Sequence, residues 1–301
     1  MRFAMQSYKC LVTGGAGFIG SNLARSLEKQ GHCVTVVDNF SSGHKKNLTG
    51  FNGDVMALDV SKDSIKGAFD LIFHQAAITD PRYGNDDVVL QQNIGGFQKI
   101  LEKAKADGSA FIYASTASLY GNGPSPQKEE QQKELLSAYA QSKLICDEMA
   151  SYHFDDMQIV GLRYFNVFGP NEQYKGRPAS MIYHLTKQMK AGKNPRLFKM
   201  GEQARDHIYV KDCVLANVNA IQAPSGIYNV GTGIATSFNT LVSLLNESLH
   251  TDLQVEYIDM SYDPKSYQHH TQADTTRAKT SLKFKAEYSL KKGIEEYIGM
   301  I

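Results

Sequence analysis

The stretch Lys9-Cys10-Leu11-Val12-Thr13-Gly14-Gly15-Ala16-Gly17-Phe18-Ile19-Gly20 decides how the rest of the chain is read. A short apolar run ends in three glycines spaced three apart. An amphipathic segment from Ser21 to Gln30 follows, then Gly31 where a helix C-cap belongs. Cys33-Val34-Thr35-Val36-Val37-Asp38 is a second apolar run, ending in an acid. The pattern predicts strand, glycine turn, helix, strand. In such a unit Gly14 permits the tight turn, Gly17 lets backbone N–H groups approach a pyrophosphate, and Gly20 lets the helix pack on the strand. An acid about 20 residues after the glycines completes the dinucleotide-binding pattern.

Asp38 favours a ribose diol, whereas Lys45 and Lys46 in Ser41-Ser42-Gly43-His44-Lys45-Lys46 offer cations to a 2′-phosphate. These residues leave NAD against NADP open. Val55-Met56-Ala57-Leu58-Asp59 and Leu71-Ile72-Phe73-His74-Gln75-Ala76-Ala77 read as further buried parallel strands, the second with small residues after it that let backbone pass close to a cofactor. His74, at a strand end beside alanines, reads as a packing residue. A long helix is expected over Asp86 to Ala106 with Asn93 near its middle. Ala110-Phe111-Ile112-Tyr113-Ala114 then delivers Ser115-Thr116 to a strand's carboxyl end, where doubly wound sheets bind ligands.

The next segment, Asn122 to Lys133, reads as a polar, mobile loop. A helix to about Tyr152 carries Tyr139-Ala140-Gln141-Ser142-Lys143, and residues four apart share one helix face. If that face lines a cavity, the Lys143 ammonium lowers the Tyr139 phenol from its usual value near 10 toward neutrality, making it a general base. Gln158 to Arg163 is a sixth strand, broken at Tyr164-Phe165-Asn166-Val167-Phe168-Gly169-Pro170. Strand–helix alternation at this spacing predicts an α/β doubly wound parallel sheet.

Beyond Pro170 the pattern is interrupted. Helices are expected over 179–191, 238–249 and 289–298, with short strands near 196–199 and 253–258. Segments 206–210 and 226–231 look like strands returning to the sheet. The expected division is a dinucleotide-binding domain over 1–167, rejoined by 206–234, and a smaller substrate domain from 168–205 and 235–301.

Bulk properties exclude several classes. The chain has 301 residues, 42 % hydrophobic, enough for a large core. A net charge of +1 with mixed signs argues against a nucleic-acid partner. Cys10, Cys33, Cys146 and Cys213 lie far apart in apolar runs, which suits free, mostly buried thiols in a reducing compartment and no metal site. Met1 to Tyr8 lacks an apolar signal segment, and no run approaches the roughly 18 apolar residues of a membrane span. A soluble cytoplasmic protein is expected.

With the glycine turn, Ser115-Thr116, Tyr139/Lys143 and Arg163-Tyr164-Phe165-Asn166 in place, the chain resembles the extended short-chain dehydrogenase/reductases. That family includes the nucleotide-sugar epimerases and dehydratases, and the resemblance covers nearly the whole chain. Dehydratases of the 4,6 type carry Asp-Glu where this chain has Ala117-Ser118. UDP-galactose 4-epimerases carry a Gly/His-rich stretch where it reads Tyr174-Lys175-Gly176-Arg177-Pro178-Ala179-Ser180. Lys175, His184, Leu197-Phe198 with Arg205-Asp206, Tyr267-Gln268 and Thr271-Gln272-Ala273-Asp274 resemble the ADP-glycero-manno-heptose 6-epimerase branch, which serves lipopolysaccharide core assembly.

The resemblance implies inversion of a carbinol carbon through transient oxidation by a tightly held NADP, with NAD as the alternative. It implies Tyr139 and Lys175 as the two acid/bases, Thr116 bonding the reacting oxygen, and Lys143 on the nicotinamide ribose. Gly14, Gly17, Phe18, Ile19, Gly20, Asp38, Asn39, Lys45, Asp59, Gln75, Ala76, Ala77 and Asn93 fall on cofactor positions. Asn166, Val167, Arg177, His184, Phe198, Gly201, Arg205 and Tyr267 fall on substrate positions, with Arg205 suited to a diphosphate. The family also implies a nucleotide-sugar substrate and self-association. Two departures stand out: Arg177 replaces a small hydroxyl residue, and Thr116 replaces a serine. Inversion at C4 of a UDP-hexose, keto-sugar reduction, and a non-catalytic dinucleotide sensor are the competing readings.

Overall fold

A computed structural model describes residues 7–260 and 267–301. The signal-segment reading rests largely on residues 1–6, which lie outside the described residues. The chain opens with β1 (Lys9–Thr13), α1 (Phe18–Lys29), β2 (Cys33–Asp38), β3 (Asp54–Ala57), β4 (Leu71–His74) and α2 (Asp86–Asp107). It continues with β5 (Ala110–Thr116), α3 (Ala138–Ser151), β6 (Ile159–Tyr164), β7 (Asn166–Phe168), α4 (Met181–Lys190), β8 (Arg196–Phe198) and β9 (Ala204–Tyr209). α5 (Val210–Ala220), β10 (Gly226–Val230), β11 (Ala235–Ser237), α6 (Phe238–Leu249), β12 (Glu256–Ile258), α7 (Thr276–Thr280) and α8 (Leu290–Ile298) complete it.

Seven parallel strands form one sheet in the order β10-β6-β5-β4-β1-β2-β3. The order reverses between β1 and β4, the crevice where such sheets bind ligands. Both faces are covered, which is why the strands read as continuous apolar runs and not as alternating ones. Cys10, Val12, Leu23, Leu27, Ile112, Val160 and Cys213 pack on the α1/α5 face; Leu11, Ile72, Phe97, Phe111, Tyr113 and Cys146 pack on the α2/α3 face. A third cluster of Phe168, Ile182, Leu185, Tyr209, Phe238, Leu241 and Ile294 unites α4, α6 and α8 away from the sheet.

Two expectations change. β10 returns to the main sheet, but β9 does not: it lies between β7, parallel, and β11, antiparallel. An all-buried strand looks the same whichever sheet it joins. The cysteines are free and mostly buried, as expected, with Cys33 the exposed one. The 122–133 segment is pinned, not loose. Gln127 and Glu129 are buried; Arg163 donates to the Glu129 carbonyl at 2.8 Å, and the Glu129 carboxylate accepts the Asn229 N–H at 2.8 Å.

That pinning joins a buried ion pair. Arg163 on β6 meets Asp147 on α3 at 2.9 Å, with side chains 4 % and 2 % exposed. Asp147 also accepts from Tyr113 at 3.0 Å, and Arg163 donates to Tyr120 at 3.0 Å. Removing one partner leaves a buried charge without its counter-ion. Asp147→Ala is expected to cost about 3–5 kcal/mol, read as a large fall in melting temperature. Glu256→Ala, which breaks the half-exposed Arg196–Glu256 pair, is expected to cost less than about 1 kcal/mol.

Candidate active site

The glycine turn divides its labour. Gly14 has φ +66°, and a Cβ there would stand 2.6 Å from the Ala76 nitrogen. A Cβ on Gly20 would meet the Gly14 carbonyl at 2.2 Å. These two are required by the fold. Gly17 is different: a Cβ would touch only the Gly14 carbonyl, at 3.0 Å. Gly17 is also the N-cap of α1, with no side-chain cap, so the first N–H groups at Phe18, Ile19 and Gly20 face outward at the positive end of a 12-residue helix. This is a cradle for a pyrophosphate.

Asp38 turns its carboxylate inward, accepting the Ala16 N–H at 3.0 Å and the Phe40 N–H at 2.8 Å. Burial pushes its pKa up, and these N–H groups oppose the rise. Phe40 follows in the left-handed region at φ 57°. Asn39 accepts from Ser41, and its side chain bonds Asp59, which also caps Ser61. Lys45 is exposed, its ammonium 5.7 Å from the Phe40 ring centre.

Past β4 the Ala76-Ala77 backbone runs beside the turn. Asn93, on α2, holds it by accepting from Ile78 N–H and donating to Ile78 carbonyl and Ser142. Gln75 accepts from the Tyr164 hydroxyl and donates to Asn217. His74 is buried against Thr13 at 2.7 Å, its pKa lowered to about 3 by burial and then by Lys143. It packs and does not face the cleft chemistry.

Ser137 caps α3 and so sets the register of Tyr139 and Lys143. Tyr139 is half-buried; its phenol bonds the Thr116 hydroxyl, and Thr116 in turn meets Ser118 at 3.0 Å. The expected lowering of the phenol is not found. Burial pushes it up to about 12, and only Thr116 pulls it down. Lys143 is buried and donates to the Ala114 carbonyl at 2.9 Å. Desolvation lowers its own pKa. Thus Thr116, Tyr139 and Lys143 are brought together, but the ammonium is engaged with backbone and not with the phenol.

Lys175 is half-buried, 5.4 Å from the centre of the Phe18 ring at the start of α1. Arg177 is turned to Asp80 at 2.5 Å and the Arg82 carbonyl at 2.6 Å. His184, on α4, meets the Arg177 carbonyl at 3.2 Å. Asn166 bonds Thr271 at 2.9 Å, and Val167 is half-buried beside it. Arg205 lies within 5.0 Å of the Tyr267 ring centre and 5.6 Å of Phe238, and it donates to the Ala204, Gln268 and His269 carbonyls. Tyr267 packs edge-on against Phe198, and Gly201 turns the intervening chain at φ +73°. Arg205 and Tyr267 are thus tied to the β9 layer, and Lys175 lies in the loop against the start of α1.

Sequence reasoning missed the ties that place the Lys175 loop. Asn22 bonds the Pro170 carbonyl, Asn47 the Asn171 carbonyl and Asn171 the Ser21 hydroxyl, while His44 stacks on Tyr174 at 3.9 Å. Single amides and rings in loops carry no periodic signal. Also missed was His207 on β9, buried beside Arg205 with neither ring nitrogen bonded among the described residues.

The sequence pattern of the NAD dependent epimerase/dehydratase family matches residues 10–231. The chain belongs to that family. It is 33 % identical to the ADP-L-glycero-D-manno-heptose-6-epimerase of Alkalilimnicola ehrlichii, over 97 % of each chain. The crystal structure of the enzyme of that name from Helicobacter pylori superposes with a TM-score of 0.92 at 39 % identity, covering 100 % of this chain and 98 % of that one. A UDP-N-acetylglucosamine 4-epimerase from Methanobrevibacter ruminantium superposes at 0.91 and 29 % identity, over 98 % of both. Membership makes the protein an isomerase-type enzyme with a nicotinamide cofactor. Among the described residues no helix is long and apolar enough to cross a membrane.

The residues fit such a cofactor. The uncapped α1 terminus at the open side of Gly17 suits the pyrophosphate, and the buried Lys143 ammonium has donors beyond the one given to Ala114. Gly17→Ala is expected to melt close to the wild type yet release most of its nicotinamide nucleotide, measured by mass spectrometry of the denatured protein.

His207 gives a pH signature. Its pKa is lowered to about 3 by burial and by Arg205, so the unfolded chain takes up a proton below about 6.5 that the folded chain refuses. Stability from this group is therefore lost as pH falls. His207→Phe also removes two unbonded buried nitrogens, a gain of about 1–3 kcal/mol at neutral pH. Its melting-temperature advantage is expected to widen from pH 6.5 downward, by about 1.4 kcal/mol per unit.

Proposed function

We propose that the protein inverts C6 of ADP-glycero-manno-heptose through transient oxidation by bound NADP, in supply of lipopolysaccharide core. The observation that carries the reading is Tyr139 bonded to Thr116 at a strand end, one helical turn from buried Lys143. The names of its relatives guide the choice of sugar. For the phosphate, Asp38 spends its carboxylate on two backbone N–H groups while Lys45 stays exposed, which favours a 2′-phosphate over a free diol.

Held at the α1 N-terminus and beside Lys143, a nicotinamide cofactor would supply reversible hydride transfer at the carbinol carbon. The chain's residues handle the proton. Thr116 and Tyr139 hold the hydroxyl on one wall; burial keeps the phenol protonated until a positive charge gathers beside it, and Lys143 is the cation on its face. Lys175 serves the opposite wall, as inversion presents the oxygen to both sides. Arg205, between Tyr267 and Phe238, takes the diphosphate, and Phe198 offers an apolar edge to the base. Asn166, Val167, His184 and Gly201 shape the sugar pocket, and Arg177 closes it from its pair with Asp80. Residues 1–167, with α5 and β10 added to their sheet, hold the cofactor, and the remainder, β9 included, holds the substrate. The enzyme works as a cytoplasmic self-associated assembly.

Incubation with either 6-epimer of the ADP-heptose is expected to give a mixture of both by chromatography, with no net cofactor consumption. Turnover of UDP-glucose alone would favour C4 inversion instead, and reduction of a keto-sugar would consume cofactor. Tyr139→Phe is expected to retain its nucleotide while turnover falls about 10²–10⁴-fold.

A further inference from the structure

Lys175 ends a single 3₁₀ turn, Glu172–Lys175, in the loop that leaves β7. Side chains three apart in a 3₁₀ turn eclipse, so Glu172 and Lys175 stand on one side of it. Glu172 is fully buried. Its carboxylate accepts the Gly169 N–H at 3.1 Å, the Ser180 N–H at 2.6 Å and the Ser180 hydroxyl at 2.9 Å. It therefore ties the start of the loop to its end, with Lys175 held between. A buried carboxylate is expensive unless its lone pairs are filled or a cation faces it. Three donors fill the lone pairs here, and the Lys175 charge acts on the carboxylate from the same turn without a direct ion pair among the described residues.

We propose that Glu172 is the positioning residue of Lys175: it holds the turn that presents the amine beside Phe18, and it sets how readily the amine gives up its proton. The inference rests on the reading of Lys175 as the second acid/base. A lysine that exchanges protons must have a pKa within reach of the working pH. Burial lowers that of Lys175, and the Glu172 charge works against the fall. The other groups facing the pair are few. From α1 comes the Phe18 ring. From α8 comes the Tyr297 hydroxyl, whose pKa is raised by burial and then by Glu172. From the loop after β2, His44 stacks on Tyr174, and Arg177 is directed away to Asp80. Glu172 is thus the carboxylate that acts on this amine among the described residues.

The test is competitive acetylation of the full-length protein across pH, with the Lys175 peptide quantified by mass spectrometry. It reads the amine without need of substrate. Glu172→Gln keeps the shape and one acceptor but removes the charge. Its midpoint is expected about one unit or more below the wild type, a tenfold rise in free amine at a given pH. Glu172→Asp keeps the charge and should lie between the two; it also serves if Glu172→Gln does not accumulate folded. The pH limb of turnover should move with the midpoint. Equal midpoints in wild type and the folded variants would overturn the proposal. Lys175→Ala separates the two readings: full turnover by that variant removes Lys175 as acid/base, whatever the midpoints show.

Discussion

The contact on which the active face depends is the ion pair between Arg163 and Asp147, buried under the sheet's carboxyl end. Asp147 lies one turn beyond Lys143 and two beyond Tyr139 on the same face of α3. Arg163 is on β6, Tyr113 on β5, and Asn229 on β10, so three strands and one helix share a single polar network. The network locks the rotation and height of α3 against the strand that delivers Thr116. A helix held by apolar packing alone could slide by a fraction of a turn at small cost. A charge that must keep its partner cannot.

A second set of polar ties governs the facing wall. Glu172, Asn22, Asn47 and Asn171 attach the loop of Lys175 to β7, α4 and α1. The same α1 begins at the glycine cradle. The glycine turn and the Lys175 loop are therefore fastened to one element, while Arg205 and Tyr267 belong to the β7–β9–β11 layer and the segment after 266. Three cations, Lys143, Lys175 and Arg205, are wholly or partly withdrawn from water. Positive charge in a low-dielectric setting acts strongly on an anionic ligand.

The tyrosine shows how spacing can identify a residue and still misjudge its energetics. A spacing of four positions puts Tyr139 and Lys143 on one helix face, as expected. The protein's own groups leave the phenol near 12 because desolvation of a phenolate outweighs what one hydroxyl returns. The lysine is occupied at the Ala114 carbonyl. Proximity in sequence fixes direction, whereas pKa depends on depth and on every dipole nearby.

Local order was legible in the residues alone. The β1–turn–α1–β2 unit, the long α2, the Ser137-capped α3 and most later helices follow from apolar periodicity and glycine placement. α5 went unread because it starts at Val210, directly after β9, with no loop and no side-chain cap to mark its beginning. The motif residues of the cofactor side lie within short chain distances, so their geometry follows from strand–turn–helix stereochemistry. Only the tertiary structure decided that β9 forms a separate layer, that 122–133 is pinned by Glu129, and that Glu172 faces Lys175 from a closed polar clamp. Those outcomes depend on which buried polar group finds which partner across tens of residues. Such pairing is settled by the requirement to satisfy each group away from water, and no local pattern encodes it.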